Sequence, residues 1–68
     1  MQLSARNSIK GKIVEITLGI VTAKIKLDIG NGNTIVSVIT VDSVKEMGFK
    51  VGDEAFAIFK STEVMIGI

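Results

Sequence analysis

The sequence contains no cysteine, no histidine, no tryptophan and no tyrosine, and each gap removes a class of chemistry. Without cysteine there is no disulfide framework and no thiolate. Without histidine as well, the usual nitrogen and sulfur ligands of transition metals are missing. A nucleophilic triad has no base to work with. The only aromatic residues are Phe49, Phe56 and Phe59, too few for a platform on which single-stranded bases stack. Charge of one sign is also scarce. Eight basic and seven acidic residues are interspersed and leave a net charge of +1, whereas a nucleic-acid surface needs a basic stripe. Lys, Asp or Thr interrupts every apolar stretch before it reaches the roughly 18 residues of a membrane helix. The first residues carry no charged region followed by an apolar one, so the chain reads as cytoplasmic, with neither nucleic acid nor membrane as partner.

The remaining routes to catalysis fail on placement. Lys60 and Ser61 are adjacent at a strand end and point to opposite faces. Every Asp and Glu falls in a turn or on a polar face, so no carboxylate pair sits in apolar surroundings. Gly30-Asn31-Gly32 feeds a strand instead of opening a helix, which is not how a phosphate loop is built. The chain is expected to bind, not to catalyse. At 68 residues it is expected to be one domain, 1–68, with a limited core. Yet 47% of its residues are hydrophobic, so self-association is the expected source of the missing stability.

What is present is mostly strand. Residues 8–18 alternate, with Ile9, Gly11 and Ile13 on one face; at Ile13-Val14 the apolar phase switches to Val14, Ile16 and Leu18. A switch inside a strand predicts a bulge. Residues 20–29 alternate cleanly, with Val21, Ala23, Ile25, Leu27 and Ile29 against Thr22, Lys24, Lys26 and Asp28. Gly30-Asn31-Gly32-Asn33 predicts a hairpin loop. Residues 34–39 form a strand that is apolar on both faces. Residues 41–47 predict a short helix capped by Thr40 or Asp42, with Ser43 and Glu46 at capping-box spacing, Val44 and Met47 facing the core, and Gly48 ending it. Residues 55–59 form a fourth strand and residues 64–68 a fifth, both apolar enough to suggest burial against a neighbouring chain. Five strands with a short helix between the third and fourth is the order of an all-β, OB-like barrel.

Two polar segments stand out from this scaffold. Ser4-Ala5-Arg6-Asn7 precedes the first strand, and Lys60-Ser61-Thr62 interrupts the last two. Arg6 and Lys60 bring positive charge, while Ser4, Thr40, Ser43, Ser61 and Thr62 bring hydroxyl donors. The backbone N–H groups around Ala5 and Ser61 lie beside small side chains. A tetrahedral dianion is suited to such a donor set, through charge-assisted hydrogen bonds and fixed N–H dipoles.

The two segments also carry a resemblance, together with Lys10-Gly11-Lys12-Ile13-Val14, Gly19-Ile20-Val21-Thr22-Ala23, Ile39-Thr40-Val41-Asp42-Ser43-Val44 and Lys60-Ser61-Thr62-Glu63-Val64-Met65-Ile66. Over essentially its whole length the chain resembles the molbindin (Mop) family of small molybdate-binding proteins. The resemblance implies a cytoplasmic protein that stores molybdenum or keeps it in balance. It would be an OB-like homo-hexamer, a trimer of dimers, binding molybdate or tungstate between subunits without a separate cofactor. The main site implied would take charge from Arg6 and Lys60, hydroxyl bonds from Ser4, Ser43 and Ser61, and backbone N–H bonds from Ala5 and Ser61, with Thr40 near the pocket. A second class of site would lie near Gly19, Ile20, Val21 and Thr22. The competing expectation is an oligomerisation or regulatory module with no ligand of its own.

Overall fold

The computed structural model describes residues 4–68. Four strands, β1 (Asn7–Leu18), β2 (Thr22–Gly30), β3 (Asn33–Thr40) and β4 (Glu54–Phe59), form one sheet in the order β3-β2-β1-β4 with every pair antiparallel. The helix α1 (Val41–Met47) separates β3 from β4, and a single 3-10 turn, Ser61–Glu63, follows β4. The core is small: Ile13, Ala23, Ile25, Leu27 and Val44 are buried, with Ile16, Ile29, Ile39, Val41, Phe49 and Ala55 packed around them. Three of the five buried residues are the alternate apolar positions of β2, so the cleanest period-2 stretch of the sequence is also its centre.

β1 carries the predicted bulge. Its pairing with β2 shifts register between Ile13 and Glu15. As a result Ile13 and Ile16 both reach the core, although residues three apart on an unbulged strand point to opposite faces. At the same place the chain after α1 rejoins β1: the Ile13 N–H donates to the Asp53 carbonyl at 2.9 Å, and the Gly52 N–H donates to the Ile13 carbonyl at 2.8 Å. Just before the bulge, Gly11 lies where a Cβ would sit 2.9 Å from the Asp28 carbonyl oxygen and 3.1 Å from the Ile29 side chain. The close approach of β1 to β2 therefore needs a residue without a side chain.

The turns follow their local chemistry. Asn31 (φ 55°) and Gly32 (φ 77°) both adopt positive φ between the paired residues Gly30 and Asn33, the two-residue hairpin that Asn-Gly favours. α1 starts at Thr40, whose hydroxyl accepts from the Ser43 N–H at 3.0 Å, and ends at left-handed Gly48. Ser43 itself pairs with Thr40, so the alternative Ser43–Glu46 box is not the cap. β2 begins two residues later than the pattern suggested, because the Gly19 N–H donates to the Thr22 carbonyl at 2.8 Å and turns Ile20 and Val21 out of the ladder.

Two expectations fail. The strand count is four among the described residues, not five: residues 64–68 leave the 3-10 turn exposed and carry no strand. Their apolar pattern called for a partner, and no strand of the same chain supplies one. Met47 does not face the core with Val44. A helix of seven residues presents one narrow stripe, which Val44 occupies, and Met47 is 65% exposed at the rim of a cleft. That cleft, about 570 Å³, is lined from both edge strands, by Ile35 and Ile39 of β3 and Ala57 and Phe59 of β4, over Ile25 and Leu27. Edge strands that face each other across one cleft mean that the sheet is curled into an open half-barrel.

On the outer face Lys10 and Glu54 form an ion pair at 2.9 Å. Their hydrogen bond, then their mutual attraction, raises the Lys10 ammonium and lowers the Glu54 carboxyl relative to their ordinary values. The contribution to stability is therefore present across neutrality. It is lost as pH falls through the lowered Glu54 range or rises through the raised Lys10 range, and solvent screening keeps it small.

The Gly11 contact generates a direct test. Gly11→Ala is expected to lower unfolding stability by about 1–3 kcal/mol in urea titration, because the new methyl meets backbone that cannot move aside. An unchanged midpoint would show that β1 and β2 separate freely there.

Candidate functional site

The register between β1 and β4 decides which polar residues meet. Asn7 pairs with Phe59 and Ser8 with Ile58. Carried one residue outward, the same register sets Arg6 opposite Lys60, where β1 begins and β4 ends. The two segments singled out in the sequence line one shallow hollow of about 240 Å³, formed by Ser4, Ala5, Arg6, Lys60, Ser61 and Thr62. Asn7 belongs to the ladder instead. No carboxylate lines the hollow. Among the described residues the ion pairs are Lys10–Glu54 and Lys26–Glu15, so neither Arg6 nor Lys60 has an acidic partner. Two cations and three hydroxyls converge on a space large enough for a small tetrahedral anion. Such a hollow can bind charge, and it holds neither a general base nor a nucleophile with one beside it.

Thr40 and Ser43 are elsewhere. Thr40 pairs with Thr22, and Ala23 beside it pairs with Leu18, which places both at the far end of β1 from Arg6. A strand of 12 residues spans about 36 Å before bending, so no single chain brings these hydroxyls to the hollow. There the Thr40 hydroxyl donates to the Ser43 hydroxyl oxygen at 2.8 Å. The same end carries the other predicted segment. Gly19, Ile20, Val21 and Thr22 form the β1–β2 turn, in which Ile20 is 98% exposed. The Gly19 N–H is bonded to Thr22, and the Val21 carbonyl accepts the Val41 N–H at 2.8 Å. No charged side chain lies in this segment. Among the described residues no group of three or more His, Cys, Asp or Glu gathers to hold a metal ion, and no helix is long and apolar enough to cross a membrane.

One feature went further than the sequence reading. Thr62 lines the hollow beside Lys60 and Ser61; its place in a donor-rich triplet was the available signal.

Residues 3–66 match the TOBE domain. The chain belongs to the TOBE-domain family. This TOBE domain is 53% identical over 66 residues to molybdenum-pterin-binding protein 2 of Clostridium pasteurianum, covering 97% of each chain. It superposes on a molybdate-binding protein from Sporomusa ovata with a TM-score of 0.92, at 37% identity and full coverage of both chains. It also matches the cytoplasmic molybdate-binding protein ModG, solved with molybdate bound, with a TM-score of 0.84 and 38% identity, over 90% of this chain and 43% of that one. The half-barrel with one helix is thus the architecture of known molybdate-binding proteins.

The cap at Thr40 separates structure from binding. Thr40→Ala is expected to cost about 1 kcal/mol through loss of the bond to the Ser43 N–H, whereas Thr40→Ser should recover most of it; thermal melts of the two variants check this.

Proposed function

We propose that this TOBE domain binds molybdate or tungstate, taking up the anion by hydrogen bonds and charge at the hollow of Ser4, Ala5, Arg6, Lys60, Ser61 and Thr62. The observation that carries the reading is the convergence of Arg6 and Lys60, without any carboxylate, on a space of about 240 Å³. Molybdate is a dianion at neutral pH and keeps its oxygen shell, so it needs donors and not the imidazole or thiolate ligands of a metal cation. The two side-chain charges match its two. Ser4 and Ser61 supply hydroxyl donors, and the Ala5 and Ser61 backbone N–H groups supply fixed dipoles. The printed functions of the relatives support the same ligand. The description of ModG as cytoplasmic supports a role in cytoplasmic storage or homeostasis of molybdenum.

The working form in this proposal is an assembly, a homo-hexamer built as a trimer of dimers. Thr40 and Ser43, remote from the hollow of their own chain, are assigned to the hollow of a second copy. Gly19, Ile20, Val21 and Thr22 are assigned to a second class of site formed on assembly. The exposed apolar residues support self-association: Met65 is 92% and Ile66 88% exposed, a heavy cost in water for a chain with so small a core. That observation also favours a second reading, an oligomerisation module that binds no ligand.

Calorimetry with molybdate, tungstate, sulfate and phosphate separates the two. The expected result is binding of molybdate and tungstate; binding of neither, in an assembly whose melting temperature ignores molybdate, establishes the second reading. Arg6→Ala and Lys60→Ala are each expected to weaken molybdate binding about 10- to 100-fold, since each leaves one anion charge without its charge-assisted bond. Normal affinity in either variant removes that residue from the site.

A further inference from the structure

The two walls of the hollow are held unequally. Arg6 continues directly from β1, a strand paired on both sides. Lys60, Ser61 and Thr62 lie where the chain leaves β4 and enters a 3-10 helix of three residues. That turn has no side-chain cap, and its one main-chain bond runs from the Glu63 N–H to the Lys60 carbonyl at 2.9 Å. A single turn of this kind is marginal alone. It is joined on one side to β4 and on the other to residues 64–68, which are exposed throughout.

We infer that residues 64–68 control the anion hollow. Seated in the cleft of a second copy, they hold the 3-10 turn, and with it Lys60, Ser61 and Thr62, in the position the anion requires. This rests on the anion-binding reading above. The second copy is the occupant because the two surfaces fit in kind and in size. The cleft is apolar, with Ile35, Ile39, Ala57 and Phe59 on its walls, and Val64, Met65, Ile66 and Ile68 are apolar. β3 and β4 each leave one edge unpaired in the sheet order, so an added strand gains a ladder as well as burial. Five extended residues span about 16 Å, close to the length of the six-residue β4. Reciprocal exchange between two copies removes on the order of 1,500 Å² from water, within the range of stable interfaces.

Coupling then runs both ways. A seated segment fixes the turn at both ends and strengthens anion binding, and a bound anion fixes the same turn and favours seating, by equal factors. Assembly and affinity rise and fall together, even though no residue of 64–68 lines the hollow.

The test compares the intact chain with a variant lacking residues 64–68, which keeps all six lining residues, and with the full-length variant Ile66→Glu, which keeps the chain length. Sedimentation velocity reads the assembly, circular dichroism the fold and calorimetry the affinity for molybdate. The intact chain is expected to associate and bind. Both variants are expected to stay folded, to sediment as smaller species and to bind molybdate about 10-fold or more weakly. Should the truncated chain not fold, the Ile66→Glu result decides. Unchanged affinity in a dissociated variant overturns the coupling alone, and unchanged assembly overturns the docking that it needs. Failure of the intact chain to bind molybdate overturns the function proposed above.

Discussion

The antiparallel ladder between β1 and β4 is the constraint on which the rest depends. It joins the two ends of the chain, more than fifty residues apart in sequence, and sets Arg6 across from Lys60. Bringing two unpaired cations together is unfavourable, and burial elsewhere has to offset it. The same repulsion is what a dianion relieves. The hollow is therefore a place where folding leaves an electrostatic debt in one sign, and a ligand of the other sign is stabilised in proportion.

Much of the scaffold was legible in the sequence because it is local. The alternation over residues 20–29 became the buried centre of the sheet, the phase change at Ile13-Val14 became a register shift, and Asn31-Gly32 became a hairpin with both residues at positive φ. The misses concern partners. Residues 64–68 have the composition of a buried strand, but composition does not say which edge will receive it, and within this chain none does. Met47 was placed by helical spacing alone, which cannot show how narrow a stripe a seven-residue helix buries.

The site divides along the same line. Donor-rich segments are visible as residue types, so Ser4, Ala5, Arg6, Lys60 and Ser61 could be named early, and they line one hollow. Thr40 and Ser43 belong to the same chemistry but stand at the other end of β1, because strand direction, which no local pattern encodes, carries them away. A chain without imidazole or thiolate keeps one way to handle molybdenum, as an oxyanion with its oxygens intact. The TOBE fold offers this chemistry at strand ends, where backbone N–H groups and side chains leave the ladder together.

The bulge in β1 has a consequence for how this sequence can vary. Ile13 and Ile16 share the core only because one extra residue sits between two registers. Losing Val14 would leave every polar donor in place and still rotate the second half of β1, so that Ile16 exchanged faces with its neighbours. Related chains should therefore accept length changes at the Asn31-Gly32 tip far more readily than at the middle of β1. In that sense the strand is a ruler with a fixed joint, and counting residues along it matters as much as their identity.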